Sequence, residues 1–261
     1  MIPLAMLVAL LQGCATSLEI RKSAAAEGSA AASEGLALRF QSSSIAREGN
    51  DAPLSPGDLQ PGDIILTSAP TLWSVGIRLM TWAPVSHAAL YVGDGRVVEA
   101  VMSGVRVRQV EELLEEQSLA LVLRYPELSL EQTLNISDYA LQQAGAQYNS
   151  VGVALNAPFS VARRACELPL VPSAVRDACI RSIGALNYFA ASEGQLFCSQ
   201  LVMQAYRHAR VRITGADPRL ISPADILHMR EGDVPSVRVR KQLRYVGHLK
   251  YPAETIAALQ Q

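Results

Sequence analysis

The chain has 261 residues, of which 49% are hydrophobic, and its formal net charge is −1 at pH 7. This length is enough for one sizeable domain with appendages or for two small ones. Acidic and basic residues are interspersed, so the sequence lacks the basic footprint of a nucleic-acid-binding protein. No uninterrupted apolar run reaches the ~18 residues of a membrane-spanning helix.

The first segment is a short apolar run, MIPLAMLVALLQGCATS, with the sequence LQGC near its end. It resembles a bacterial lipoprotein signal, whose final cysteine is lipidated and becomes the mature N-terminus. Residues 1–13 contain no Lys or Arg, whereas signal peptides carry a basic n-region; either the true start lies upstream or the match is accidental. We interpret residues 1–13 as a signal peptide and Cys14 as the lipidation site, which predicts a membrane-anchored protein of the bacterial cell envelope that faces the periplasm.

The following segment is rich in Ala, Ser, Gly and Glu, with AAAEGSAAASEG at its centre. Such a composition buries little apolar surface and is typical of a linker. We therefore predict a lipid-anchored linker over residues 14–53 and a folded domain over residues 54–255.

The folded domain begins with a PGD turn and a short β-rich run, IIL, followed by the segment PTLWSVGIRLMTWAP. This segment is apolar on most sides and predicts a helix that ends at the following proline. It is either a core helix or an apolar wall beside a pocket. Because both tryptophans of the chain lie here, we take Leu72, Trp73 and Trp82 as candidate pocket residues.

The next segment, SHAALYVGDGRVVEAV, predicts a β-hairpin. With a two-residue loop, His87 and Glu99 would point to opposite faces. A three-residue loop with Gly95 in the left-handed conformation, the G1-bulge form, changes the parity and pairs residue 89 with 99. His87 and Glu99 then become diagonal neighbours on one face, within about 7–8 Å at Cα. They are a candidate base and its orienting partner, although a lone strand histidine is more often structural.

Further along the chain we predict a strand (GVRVRQV), a short charged helix (VEELLEEQ), a strand (SLALVLRY) and a long helix (LEQTLNISDYALQQAGAQY). Residues 156–194 form an insert rich in Ala, Leu and Pro. After the insert, EGQLFCSQLVMQAY predicts a helix with one buried face, because its apolar residues recur at i, i+3, i+4 and i+7. A helix (SPADILHM) and two β-rich runs (VPSVRVR and LRYVGHLKY) complete the domain.

Cys198 lies in the first turn of the predicted helix that follows the insert. The unpaired N–H groups and the positive end of the helix dipole favour a thiolate there, and such positions lower a cysteine pKa. The alternative is a small hydrophobe packed in the core.

The four cysteines of the chain also have different expected fates. Cys166 and Cys179, both within the insert, fit a disulfide in an oxidising compartment, which leaves Cys198 as a reactive thiol. Neither a CxxC nor an HxxxH spacing occurs, so we expect no zinc site and no cofactor.

The succession PGDIIL, SHAALYVGDGRVVEA, LRY, GAQYNS, FCSQLVMQAY and SPADIL resembles the permuted papain-like NlpC-type hydrolases. The nearest branch is the bacterial YaeF/YiiX group, some of whose members are lipoproteins. The resemblance covers roughly residues 55–250, interrupted by the insert. In unpermuted members of the superfamily the cysteine helix precedes the histidine strand, whereas here it follows. The resemblance implies an α+β fold with a small antiparallel sheet or partial barrel packed on helices.

The resemblance also implies roles for particular residues: a cysteine nucleophile at Cys198, a histidine base at His87 and a polar orienting residue at Glu99. The family tyrosine that assists the oxyanion site matches Tyr148, in GAQYNS. We therefore expect cysteine-dependent amide hydrolysis on a cell-envelope substrate.

Two alternatives remain open at this point. One keeps the nucleophile but acts on a lipid, by thioester-mediated acyl transfer or hydrolysis, as in the lecithin:retinol acyltransferase-like branch. The other is a non-catalytic envelope module that binds a lipid or another ligand.

Overall fold

The computed structural model describes residues 16–22, 34–40, 53–81, 83–148, 166, 175, 178–179, 195–230 and 239–251. The strands of this part of the chain are β1 (Thr16–Lys22), β2 (Glu34–Phe40), β3 (Ile64–Ser68), β4 (His87–Gly93), β5 (Arg96–Val101), β6 (Gly104–Gln109), β7 (Leu119–Arg124), β8 (Gln147–Tyr148), β9 (Gln195–Leu196) and β10 (Arg244–Lys250). The helices are α1 (Leu72–Thr81), α2 (Val110–Glu116), α3 (Leu130–Gln142), α4 (Cys198–His208) and α5 (Pro223–His228).

The domain is built on an open antiparallel sheet with the strand order β10-β7-β3-β4-β5-β6. Strands β4, β5 and β6 follow one another as hairpins, whereas β7 returns to the other side of β3 and β10 adds to it at the edge. The histidine strand β4 is therefore an interior strand, paired with β3 on one side and β5 on the other. The predicted α+β class with an antiparallel sheet is confirmed.

The two faces of the sheet pack against separate apolar clusters. On β4, Ala88 and Leu90 belong to the larger cluster, which includes residues of α3 and α4, whereas Ala89 and Tyr91 belong to a smaller one with Leu113 of α2. This division follows from the period-2 alternation of side chains along a strand. Because its larger cluster rests on α4, the sheet lies directly against the cysteine helix.

Helix α4 is buried more completely than its sequence pattern predicts. Eight of its eleven residues are buried, including the polar Ser199 and Gln200. Its surroundings explain this burial: the sheet covers one side, and α3, α5 and the turn at 218–220 contact it as well. Ser199 Oγ donates a 2.6 Å hydrogen bond to the backbone oxygen of Ile221, which secures the first turn of the helix against that segment.

The segment predicted as a linker contains two strands in this structure. β1 and β2 pair antiparallel, from Thr16 opposite Phe40 to Lys22 opposite Glu34. The compositional argument indicated little burial and did not predict this pairing.

Helix α1 differs from the predicted apolar wall in one respect. Leu72 is 92% exposed, so its side chain faces solvent rather than an enclosed pocket. The buried anchor near the start of the helix is instead Ser74, whose hydroxyl is 2.6 Å from that of Ser86, immediately before β4.

Several predicted features lie outside the described residues. These are the signal peptide and Cys14, most of the insert, most of the predicted strand VPSVRVR, Trp82 and the side chain of Trp73. Among the described residues, no helix has the length and apolar character needed to cross a membrane.

Candidate active site

The β4–β5 hairpin brings His87 and Glu99 together. Ala89 pairs with Glu99, so His87 is the diagonal neighbour of the carboxylate on the same face of the sheet. The imidazole Nε2 of His87 lies 2.7 Å from Oε2 of Glu99. The register of this hairpin therefore places the strand histidine where a buried carboxylate orients its imidazole ring.

The extra residue that sets this register is not where the sequence predicted it. Tyr91 pairs with Val97 and Gly93 pairs with Arg96, so Val92 is the additional residue, a bulge within β4. The turn itself has two residues, Asp94 and Gly95, both with positive φ (53° and 70°), as a type I′ turn requires. The predicted three-residue loop is therefore wrong. It nevertheless gives the same pairing of residue 89 with residue 99, and so the same face for His87 and Glu99.

Cys198 is the first residue of α4 and follows Phe197, whose backbone is extended. Its sulfur is hydrogen-bonded to the side chain of His87 and to the backbone N–H groups of Ala88 and Ser199. Nε2 of His87 contacts Glu99, so the imidazole has the carboxylate and the thiol as its two partners. In the ion-pair form, both ring nitrogens donate, one to the thiolate and one to the carboxylate.

The electrostatics of the pair favour that ion-pair form. Burial by itself raises the pKa of Cys198, but the charge and hydrogen bond of His87 and the two backbone N–H groups outweigh it, so the net pKa is lowered. Burial likewise lowers the pKa of His87, but Cys198 and Glu99 outweigh it and raise the net pKa above its ordinary value. A lowered thiol pKa beside a raised imidazole pKa is the pattern of an activated cysteine.

Glu99 is held by more than the histidine. It is 1% exposed, and its Oε1 lies 2.9 Å from Nε of Arg106 and 2.8 Å from Nε of Arg108. Burial by itself raises the pKa of Glu99, but His87, Arg108 and Arg106 outweigh burial and bring the net pKa down to about 2. The carboxylate is therefore ionised throughout the neutral and mildly acidic range.

Tyr148 reaches the site through a short parallel pairing. β8 pairs with β9 so that Tyr148 lies opposite Leu196, two residues before Cys198. Burial, and in second place the negative charge of Cys198, raise the pKa of Tyr148. Its hydroxyl therefore stays protonated and is a hydrogen-bond donor near the thiol.

The structure brings together four of the residues singled out from the sequence, Cys198, His87, Glu99 and Tyr148. It also joins Cys166 to Cys179 by a disulfide, and it leaves the thiol of Cys198 free. Of the three candidate pocket residues, Leu72 is exposed.

Sequence reasoning missed the two arginines that contact Glu99. The signal for them was present in GVRVRQV, the strand after the glutamate, where two arginines at i and i+2 must share a face. Arg106 is the direct cross-strand partner of Glu99 in β6. Among the described residues, no group of three or more His, Cys, Asp or Glu side chains is placed to hold a metal ion.

The chain is similar to one family model and to two Escherichia coli proteins. A family model described as "Permuted papain-like amidase enzyme, YaeF/YiiX, C92 family" matches residues 58–153, which include His87, Glu99 and Tyr148. The chain is 34% identical over 217 residues to an Escherichia coli K12 protein named "Probable lipoprotein peptidase YaeF", an alignment covering 82% of this chain and 79% of that protein. It also aligns with the crystal structure of the metalloprotein yiiX from Escherichia coli O157:H7, with 19% identity and a TM-score of 0.43, over 74% of this chain and 98% of that one.

Proposed function

Because the chain belongs to the YaeF/YiiX family of permuted papain-like amidases, we propose that it is a cysteine-dependent amidase or peptidase acting on a cell-envelope substrate. The observation that supports this proposal is the hydrogen-bonded series from Cys198 through His87 to Glu99. In it, Cys198 is the nucleophile, His87 the general base and acid, and Glu99 the group that orients the imidazole.

The proposed reaction has two halves. The Cys198 thiolate attacks the amide carbonyl carbon, and the carbon–sulfur bond forms while an electron pair moves to the carbonyl oxygen. When the intermediate collapses, the carbon–nitrogen bond breaks, and the His87 imidazolium gives its proton to the leaving nitrogen. Water then attacks the thioester, its proton goes to His87, and the carbon–sulfur bond breaks to return the thiolate.

The oxyanion of each intermediate needs donors that are fixed in advance. The backbone N–H of Cys198 is at the start of a helix, where N–H groups lack intrahelical partners. The Tyr148 hydroxyl, kept protonated by its raised pKa, is the proposed second donor. A Tyr148→Phe variant should therefore lower kcat by about 10²-fold, the typical loss for one oxyanion donor, with little change in KM.

The test of the proposed nucleophile uses iodoacetamide, which requires no knowledge of the substrate. Wild-type Cys198 should be alkylated much faster than a simple thiol at pH 6, and His87→Ala should slow the reaction strongly because it removes the partner of the ion pair. Release of new amino groups from muropeptides, absent in Cys198→Ala, would then identify the scissile bond. If Cys198 reacts no faster than a simple thiol, independently of His87, the chain is instead a non-catalytic module.

We also propose that the protein is anchored through Cys14 and faces the periplasm. The LQGC sequence supports this, together with the word lipoprotein in the name of the curated relative. Cys14→Ser should abolish metabolic labelling with palmitate and release the protein from membranes. Unchanged membrane retention would contradict the anchor.

A second candidate keeps the nucleophile and exchanges the peptide for an acylated lipid. The observation that favours it is the exposed Leu72 on α1, a helix bonded through Ser74 to Ser86, the residue before His87. An apolar side chain exposed on that helix suits an acyl chain better than a polar peptide. Turnover measured on acylated lipids of different chain length separates the two candidates.

A further inference from the structure

The carboxylate of Glu99 divides its two oxygens between different partners. Oε2 faces the imidazole of His87 at 2.7 Å, and Oε1 faces Arg106 at 2.9 Å and Arg108 at 2.8 Å. Both guanidinium groups approach through Nε, and both come from β6, the strand next to Glu99 in the sheet. One oxygen thus faces the histidine, whereas Arg106 donates a hydrogen bond to the other and Arg108 forms an ion pair with it that lacks hydrogen-bond alignment.

The two arginines differ in burial and have a further partner in common. The side chain of Arg108 is 7% exposed and that of Arg106 is 41% exposed. Each also pairs with Glu116 at the end of α2, at 2.8 Å for Arg108 and 3.4 Å for Arg106. Glu116 is exposed, so the arginines link a carboxylate in solvent to a buried one and are themselves held in place from outside.

We propose that Arg106 and Arg108 are positioning residues of the Cys–His pair, which fix the Glu99 carboxylate against His87 and offset its negative charge there. This inference rests on the proposed function, since it assigns the arginines to the same site. Neither arginine is proposed to touch the substrate; both act through Glu99.

The direction of the electrostatic effect follows from the charges that face Glu99 in the described structure. A buried carboxylate that faced His87 alone would favour the imidazolium and disfavour the neighbouring Cys198 thiolate, because a negative charge stabilises cations and destabilises anions. The positive charges of Arg106 and Arg108 oppose both effects, and Glu116, farther out, partly neutralises them. Removing an arginine should therefore raise the pH at which the thiolate of Cys198 forms.

The experiment is the rate of alkylation of Cys198 by iodoacetamide between pH 3 and pH 9. The rate of the full-length wild-type protein should rise in a step at acidic pH, where the ion pair forms. In Arg108→Met that step should move upward by about one pH unit, the effect of a unit charge at roughly 8–10 Å in a dielectric of about 20. Arg108→Lys keeps the charge and should keep the step close to the wild-type position.

Two further variants complete the design. Arg106→Met should move the step in the same direction by a smaller amount, since this arginine is more exposed and more screened; it also supplies the answer if Arg108→Met does not fold. Arg96→Met is the matched control, because Arg96 lies on the same hairpin but pairs with the exposed Asp94. Its step should remain at the wild-type pH.

The outcomes separate this inference from the function on which it rests. If wild-type Cys198 shows no acidic step, the ion pair and the proposed function fail together. If the wild-type step is present but Arg108→Met and Arg106→Met lower the rate equally at every pH, without moving the step, the arginines are structural and the inference is overturned.

Discussion

Asp63 and Glu99 are both 1% exposed, and each forms ion pairs with arginine from a neighbouring strand. Both oxygens of Asp63 are bound within the scaffold: Arg124 donates to each at 2.6 Å, and the backbone N–H of Gln60 donates to Oδ2 at 2.8 Å. At Glu99, by contrast, the arginines contact one oxygen and the other meets His87. A buried carboxylate–arginine pair is therefore not by itself a sign of function; the titratable third partner makes the difference.

Replacing each of these two carboxylates by alanine tests the difference between them, and the largest effect is expected on the reactivity of Cys198. Glu99→Ala should slow iodoacetamide alkylation of Cys198 at pH 6 by about 10²-fold, because the imidazole loses the group that orients it and stabilises its charge. Asp63→Ala is the matched control, with the same burial and the same kind of partner. In the folded protein it should leave the alkylation rate near that of the wild type; an equal loss in both variants would show that the rate reports only on packing.

Asp63→Ala, which should leave the alkylation rate unchanged, should instead lower the free energy of unfolding. Asp63→Ala leaves the guanidinium of Arg124 partly buried without its carboxylate, and breaking a buried pair in this way costs about 3–5 kcal/mol. The free energy of unfolding from urea titration measures it. A loss well below 1 kcal/mol would mean that solvent replaces Asp63, which is the behaviour of a surface ion pair.

Acid should reveal the charge state of Glu99. Its pKa is lowered to about 2 in the folded protein, despite burial, by His87, Arg108 and Arg106. Because the folded-state pKa of Glu99 lies below its unfolded-state pKa, the ionised carboxylate stabilises the folded protein. This contribution to the free energy of unfolding is present above about pH 4.5 and is lost as the pH falls towards 2. It corresponds to about 3 kcal/mol.

The measurement is the free energy of unfolding at several pH values from 5 down to 2, for the wild type and for Glu99→Gln. The wild type should lose about 3 kcal/mol more than the variant over this range, since the other carboxylates are common to both. Parallel losses in the two proteins would show that Glu99 is not ionised in the folded state by the contacts described.

Local patterns predicted the parts of this site that lie on single elements. The period of the apolar residues placed Cys198 at the start of a helix, and the alternation along the hairpin placed His87 and Glu99 on one face. The position of the extra residue could not be predicted in this way, since a bulge at Val92 and a longer turn give the same parity. Helical periodicity likewise identified the most apolar face of α4, but not that other elements bury most of the remainder.

The remaining parts depend on which elements are neighbours in space. A parallel pairing with Leu196 brings Tyr148 to the strand that leads into the cysteine helix, and no local pattern specifies that pairing. The contact of Arg106 with Glu99 requires β6 to pair with β5 in one register. For these residues, the sequence supplied the chemical groups and the family resemblance supplied the expected role of the tyrosine, but the sheet topology decides which groups meet.

The smallest effect is expected away from both carboxylates, at Leu72, and it decides between peptide and lipid substrates. Leu72→Ser should change the free energy of unfolding by no more than about 0.5 kcal/mol, because the side chain is 92% exposed. Leu130→Ser is the matched control: Leu130 is also the first residue of its helix and is 77% exposed. For an envelope peptidase, both variants should release amino groups from muropeptides at the wild-type rate. A loss confined to Leu72→Ser that grows with the acyl-chain length of a lipid substrate, at up to about 0.8 kcal/mol per methylene in contact, would instead support the lipid-directed reaction.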